Sequence, residues 1–283
     1  MRAYRLIIAA AAFAAATVTG VSASAQTLPM EAIKDSGQAV YPVYEGWYKN
    51  PDGSFTLLFG YFNRNAKQAL DVALGPNNKV EPFGPDAGQP THFDPKRGWG
   101  VFTVKVPKDF GTKKVAWTLT ANGFTNTVPG HLDANWFIEP FEDAANKNRP
   151  PTLRFAEGGT SFEGPPKRAI AADLTATVAQ PMTFTVWATD KKPELQVREG
   201  GGRQGQRRAR LDLAVFKLRG PGDVTFAKDR IEVSPLEGQA AITATFSKPG
   251  EYLLRVQGND ETGDGGGGFQ CCWTSAYVSI VVN

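Results

Sequence analysis

Apolar positions in this chain recur at every second residue far more often than at every third or fourth, which is the period of strands rather than helices. Residues 41–48 and 55–62 flank Asn50-Pro51-Asp52-Gly53, where proline sets one torsion and glycine takes the positive one, so the two segments form a hairpin. Phe55, Leu57, Phe59 and Tyr61 point to one face and Leu58 and Phe62 to the other, which predicts at least partial cover on both faces. Gly46 and Gly60 leave gaps for neighbouring rings, and Trp47, Phe55, Phe59 and Tyr61 are expected mainly in a core. Further strands fit residues 69–74, 99–106, 114–121 and 124–128, the last two joined by the hairpin dipeptide Asn122-Gly123. Residues 75–93 are too rich in Pro and Gly for a regular element and read as one long loop.

The pattern breaks near the middle. Residues 139–151 are polar, lack alternation and end in Pro150-Pro151, the composition of a boundary between domains. Strands resume beyond it, including residues 211–218, 241–246 and 276–282. The expected fold is all-β, with two β-sandwich domains in tandem over residues 26–140 and 152–283, joined by a linker at 141–151.

The first residues belong to neither domain. Arg2 and Arg5 precede an alanine-rich apolar run, and Ala23-Ser24-Ala25 supplies the small-x-small pattern of a cleavage site, so residues 1–25 read as a secretory signal peptide. No later stretch is apolar enough to span a bilayer, which predicts a mature chain without a membrane span, in a periplasm or outside the cell. Export also alters the charge. The 283-residue chain has 31 Lys plus Arg against 28 Asp plus Glu, and loss of Arg2 and Arg5 brings the balance close to neutral. What stays basic is local: Lys191, Lys192, Arg198, Arg203, Arg207, Arg208 and Arg210 oppose only Glu194 and Glu199. With Gly200-Gly201-Gly202 in its middle, this segment reads as a cationic loop, with Arg207, Arg208 and Arg210 as candidate contacts to an anionic polysaccharide or an acidic protein. Nucleic acid is not an expected partner, because the compartment is wrong and aromatic residues are not interleaved with the charges.

Candidate chemistry is sparse. His92 and His131, the only histidines, are each followed two positions later by an aspartate, Asp94 or Asp133, a set that would suit zinc if the loops met. Asp260, Glu261 and Asp264 offer oxygen ligands for calcium, although their spacing is not that of an EF-hand; no cofactor is the expectation otherwise. Cys271 and Cys272, the only cysteines, are adjacent, follow Gly265-Gly266-Gly267-Gly268 and precede Trp273. Neighbouring cysteines cannot staple distant segments; they close on each other, remain thiols or bond to another chain. An oxidising compartment favours an intramolecular bond, and the sulfur pair beside Trp273 would then make a platform for a ring or sugar. No Gly-x-Ser-x-Gly elbow, His-Glu-x-x-His or phosphate-binding glycine loop is present.

The later half carries a resemblance. Residues 211–218, followed by Arg219-Gly220-Pro221-Gly222-Asp223, then Lys248-Pro249-Gly250-Glu251-Tyr252 leading into a strand, resemble bacterial Ig-like modules of the PKD-like type over residues 151–283. The Trp-Asp-Phe-Gly-Asp-Gly signature of the better-known PKD domains is absent, so another Ig-like group stays open. The resemblance implies an Ig-like sandwich used for adhesion, spacing or support of carbohydrate enzymes, without catalysis of its own. The earlier half is similar to exported bacterial proteins of unknown function, which implies no activity. The function expected is that of a secreted or periplasmic, non-catalytic binding or structural protein, with adhesion or recognition of carbohydrate and anionic polymer in view. The alternative is a metal-dependent enzyme or redox accessory using His92 and His131 or Cys271 and Cys272.

Overall fold

The computed structural model describes residues 32–144, 147–191, 211–233, 236–260 and 271–283. In the first half the chain forms β1 (Val40–Lys49), β2 (Phe55–Asn63), β3 (Leu70–Asp71), β4 (Asn78–Glu81), β5 (His92–Phe93), β6 (Lys96–Val106), β7 (Val115–Ala121) and β8 (Phe124–Gly130). A short 3-10 helix, Ala134–Trp136, follows. The second half contributes β9 (Thr152–Arg154), β10 (Ile170–Ala176), β11 (Met182–Thr189), β12 (Leu211–Arg219), β13 (Val224–Phe226), β14 (Arg230–Val233), β15 (Glu237–Phe246), β16 (Gly250–Asn259) and β17 (Trp273–Val282). Among the described residues there is no α-helix, and no helix long and apolar enough to cross a membrane.

Two β-sandwiches result. In the first, sheet β1-β2-β6 faces sheet β4-β7-β8, with the β3-β5 ladder at one side. Both expected hairpins form: Gly53 takes φ +82° and its N–H donates to the Asn50 carbonyl (3.0 Å), while Asn122 and Gly123 take φ +50° and +79° between β7 and β8. Leu57, Phe59, Phe102, Val104, Trp117 and Leu119 fill the space between the sheets. In the second sandwich, sheet β10-β17-β16-β12-β14 faces sheet β13-β15-β11-β9 over Val186, Ile242, Leu254, Val256, Val278 and Ile280.

Residues 75–93 depart from the sequence expectation, because they contribute β4 and β5. Asn78 explains β4: its Nδ2 donates to the carbonyls of Val72 (3.0 Å) and Pro90 (2.7 Å) and its Oδ1 accepts from Trp117 Nε1 (3.0 Å). One buried amide thus supplies partners to a segment too rich in Pro and Gly to form a long ladder. The expected strand at 69–74 shrinks to two residues.

Residues 33–283 form one compact unit. The outer face of the five-stranded sheet, which an isolated sandwich would show to water, packs on the first sandwich instead. Tyr277 and Leu218 join the first core, the Tyr277 hydroxyl donates to the Val101 carbonyl (2.7 Å), and the Thr91 N–H donates to the Leu218 carbonyl (3.0 Å). Strand β17 accordingly buries both faces along most of its length.

Candidate functional site

A cleft of about 290 Å3 opens where the sandwiches meet. Its first wall comes from β5 and β6 and the segment between them, with His92, Asp94, Arg97 and Trp99; the second comes from β12, β14 and β16, with Phe216, Lys217, Arg230 and Arg255. Four permanent cations line it against two carboxylates, Asp94 and Asp229. Trp99 and Phe216 are half-buried, and each carries a guanidinium on its ring: Arg97 lies 3.9 Å from the Trp99 centroid and Arg255 4.7 Å from that of Phe216.

Glycines bring these groups together. Glu45 on β1 and Arg97 on β6 meet across β2 at Gly60, where a Cβ would overlap both side chains. The sequence reading expected rings in the gap at Gly60; an ion pair occupies it instead, with Arg97 Nη2 2.6 Å from Oε1 of the buried Glu45. The gap at Gly46 is filled by Ile138 and the Trp136 carbonyl. Burial pushes the Glu45 carboxyl above its usual range despite Arg97 and the Gly100 N–H, which donates to Oε2 (2.8 Å). Tyr61 lies in the space left by Gly98, and Trp273 in that left by Gly100.

Arg255 is 3% exposed. Its Nη1 donates to the carbonyls of Trp99 (2.5 Å) and Gly100 (3.1 Å), its Nη2 donates to Gln257 Oε1 (2.8 Å), and its Nε has no partner among the described residues. No carboxylate of the described residues lies within ion-pair distance of it, and burial holds its pKa below the usual arginine value.

His92 sits at the rim. Its Nδ1 is 2.8 Å from Asp71 Oδ1 and its Nε2 3.2 Å from Asp94 Oδ1, while Lys217 Nζ reaches the same Asp71 oxygen at 3.2 Å from the other sandwich. Burial opposes protonation here, yet the bonds to Asp94 and Asp71 prevail and raise the pKa above the ordinary histidine value. An imidazole with a carboxylate on each nitrogen donates twice, as the imidazolium, and offers no lone pair to a metal.

The zinc set expected from His92, Asp94, His131 and Asp133 is not assembled. His131 packs against Tyr44 and Trp136, with centroids 5.1 and 6.0 Å away, and its Nδ1 accepts from the Asp133 N–H (3.3 Å). Among the described residues no group of three or more His, Cys, Asp or Glu is arranged to hold a metal ion. Of the calcium candidates, Asp260 is buried and its Oδ2 accepts from Asn148 Nδ2; Glu261 and Asp264 lie outside the described residues, as do Arg207, Arg208 and Arg210. Cys271 and Cys272 are bonded to each other and both are buried. Trp273 is 2% exposed, so the expected sulfur-and-indole platform for a sugar is closed off by the first sandwich. Of the hairpin aromatics, Phe59 and Tyr61 are buried and Trp47 and Phe55 half-buried.

The cleft residues Arg97, Trp99, Phe216, Lys217, Arg230 and Arg255 were not singled out by sequence reasoning. One signal was available: Arg255 interrupts an apolar strand, at a position whose alternation partners are Gln257 and Asn259.

Fold and site together define an all-β protein of two tandem sandwiches with a charged, aromatic-walled cleft at their junction. No family model matches the chain, and no curated protein matches it. Among solved structures it is similar to the D00-D0 domain of Intimin (12% identity over 86% of this chain and 100% of that one, TM-score 0.26). It is similar also to the Yersinia pseudotuberculosis adhesin InvE (11%, 87% and 59%, 0.25) and to WR4, a C. elegans MSP family member (14%, 38% and 92%, 0.23).

Proposed function

We propose that this chain is an exported, non-catalytic binding protein and that the junction cleft receives an acidic saccharide unit of an anionic polymer. The observation that carries the proposal is the composition of the cleft: Arg97, Lys217, Arg230 and Arg255 against Asp94 and Asp229, beside the half-buried rings of Trp99 and Phe216. A sugar presents apolar C–H faces to aromatic rings, and a uronate adds a carboxylate that guanidinium and ammonium groups receive. Export, inferred from residues 1–25, supplies the compartment in which such polymers occur.

Retention on polygalacturonate compared with its neutral methyl ester tests this. The wild-type protein is expected to be retained on the acid form, with retention falling as salt rises. Arg230→Gln, at the half-exposed lip of the cleft and 3.2 Å from the buried Asp212 carboxylate, is expected to weaken binding several-fold with the fold retained, at the cost of a lowered melting temperature from the lost ion pair. Equal retention on both matrices, or unchanged binding by R230Q, overturns the proposal.

A further inference from the structure

Beside the cleft, the seam between the sandwiches contains a row of polar atoms for which the described residues supply no partner. Strands β16 and β17 pair so that Arg255 opposes Tyr277, Gln257 opposes Ser275 and Asn259 opposes Trp273. Alternation sets these six side chains on the face turned away from Leu254, Val256, Ala276 and Val278, which belong to the second core. All six are buried. Tyr277 is satisfied by the Val101 carbonyl, but Asn259 Nδ2, Trp273 Nε1, Ser275 Oγ and Arg255 Nε have no hydrogen-bond partner among the described residues.

The hydrogen-bond chain settles the polarity of this row. Arginine only donates, so the Gln257 oxygen must face Arg255 Nη2 (2.8 Å) and its amide nitrogen must face Asn259 Oδ1 (2.8 Å). That leaves an N–H at the far end of Asn259, whose partner across the ladder is Trp273, with Ser275 two residues along on the same face. An indole N–H, an amide N–H and a hydroxyl call for an acceptor. Charge points the same way: Arg255 is buried with no carboxylate of the described residues within ion-pair distance, and Glu45 is already engaged by Arg97 and the Gly100 N–H. Water would bring two hydrogens of its own into a set of donors, whereas a halide brings only acceptor capacity and the missing charge.

We propose that the seam binds a small monovalent anion, chloride in a saline medium, between Asn259 Nδ2, Trp273 Nε1 and Ser275 Oγ, with Arg255 supplying the balancing charge through Gln257. The site shares Arg255 and Gln257 with the cleft but does not rest on saccharide recognition, and its test uses no saccharide.

The experiment follows the Trp273 indole N–H in 15N-labelled protein, assigned by its loss in Trp273→Phe. Protein exchanged into sulfate is titrated with sodium bromide at constant ionic strength. The Trp273 resonance is expected to shift saturably while the other five tryptophans of the chain do not. Ser275→Ala is expected to weaken bromide affinity about tenfold with the fold retained. A Trp273 resonance that is unmoved, or that shifts only linearly in step with the other indoles, overturns the proposal. So does a water cross-relaxation peak at the Trp273 N–H that persists at saturating bromide, which would mean that the row is hydrated.

Discussion

His92 shows how far a single residue's chemistry depends on its neighbours. In the unfolded chain it titrates near 6.5; in the fold the carboxylates of Asp94 and Asp71 hold the proton on beyond that value. A group whose pKa rises on folding adds stability that is fully present below its unfolded pKa and is lost as pH climbs through its folded one. Asp71 works in the opposite sense: burial raises its pKa, but His92 and Lys217 together pull it below the usual value, so its contribution is lost as pH falls through that lowered value. Melting temperature should therefore peak on the acid side of neutrality and decline as pH climbs through the raised His92 value, and His92→Gln should flatten that alkaline limb. An unchanged limb in H92Q would place the pH dependence elsewhere. Since His131 is the only other histidine, NMR titration can assign both directly.

Among the elements, β6 does the most with the least side chain. Gly98 and Gly100 alternate with Arg97, Trp99 and Val101, so one face of the strand is bare and accepts Tyr61 and Trp273, while their backbone carbonyls receive Arg97 and Arg255. Gly100 also has φ +50°. Gly100→Ala adds a Cβ that overlaps the Trp273 ring, and should cost about 2–4 kcal/mol in denaturant unfolding. The same change at Gly53, whose added Cβ would meet nothing within 4 Å but whose φ is +82°, should cost only about 1 kcal/mol from backbone strain. If the two variants unfold alike, the seam at Gly100 is not tightly packed.

Taken as a whole, the molecule joins its sandwiches by polar groups of both halves. Arg219 grips Asp86 through both terminal nitrogens (2.9 and 2.8 Å) and donates to the Gln89 carbonyl, Lys217 reaches Asp71, and Arg255 reaches the β6 backbone. The Arg219 guanidinium holds Asp86 down to about 2, so this clasp persists to low pH. Calorimetry should show one cooperative transition rather than two, and Tyr277→Phe, which strands the Val101 carbonyl, should lower its midpoint without splitting it. Two resolved transitions in the wild type would mean that the seam contributes little.

Strand type, both tight hairpins and the change of pattern past residue 139 could be read directly, because turn torsions and side-chain alternation are properties of neighbouring residues. The same local rules revealed that Gly60 and Gly46 leave gaps. They could not show that Gly60 is spanned by Glu45 and Arg97, that Trp273 covers Gly100, or that His92 and Lys217 converge on Asp71. Each of those pairings joins segments separated by between about 20 and 170 residues, and chain alternation specifies a side chain's face but not what will be pressed against it. Two sheets must pack before a cation such as Arg255 is buried, and only that burial turns an exposed polar stripe into a seam whose donors find no acceptor among the described residues.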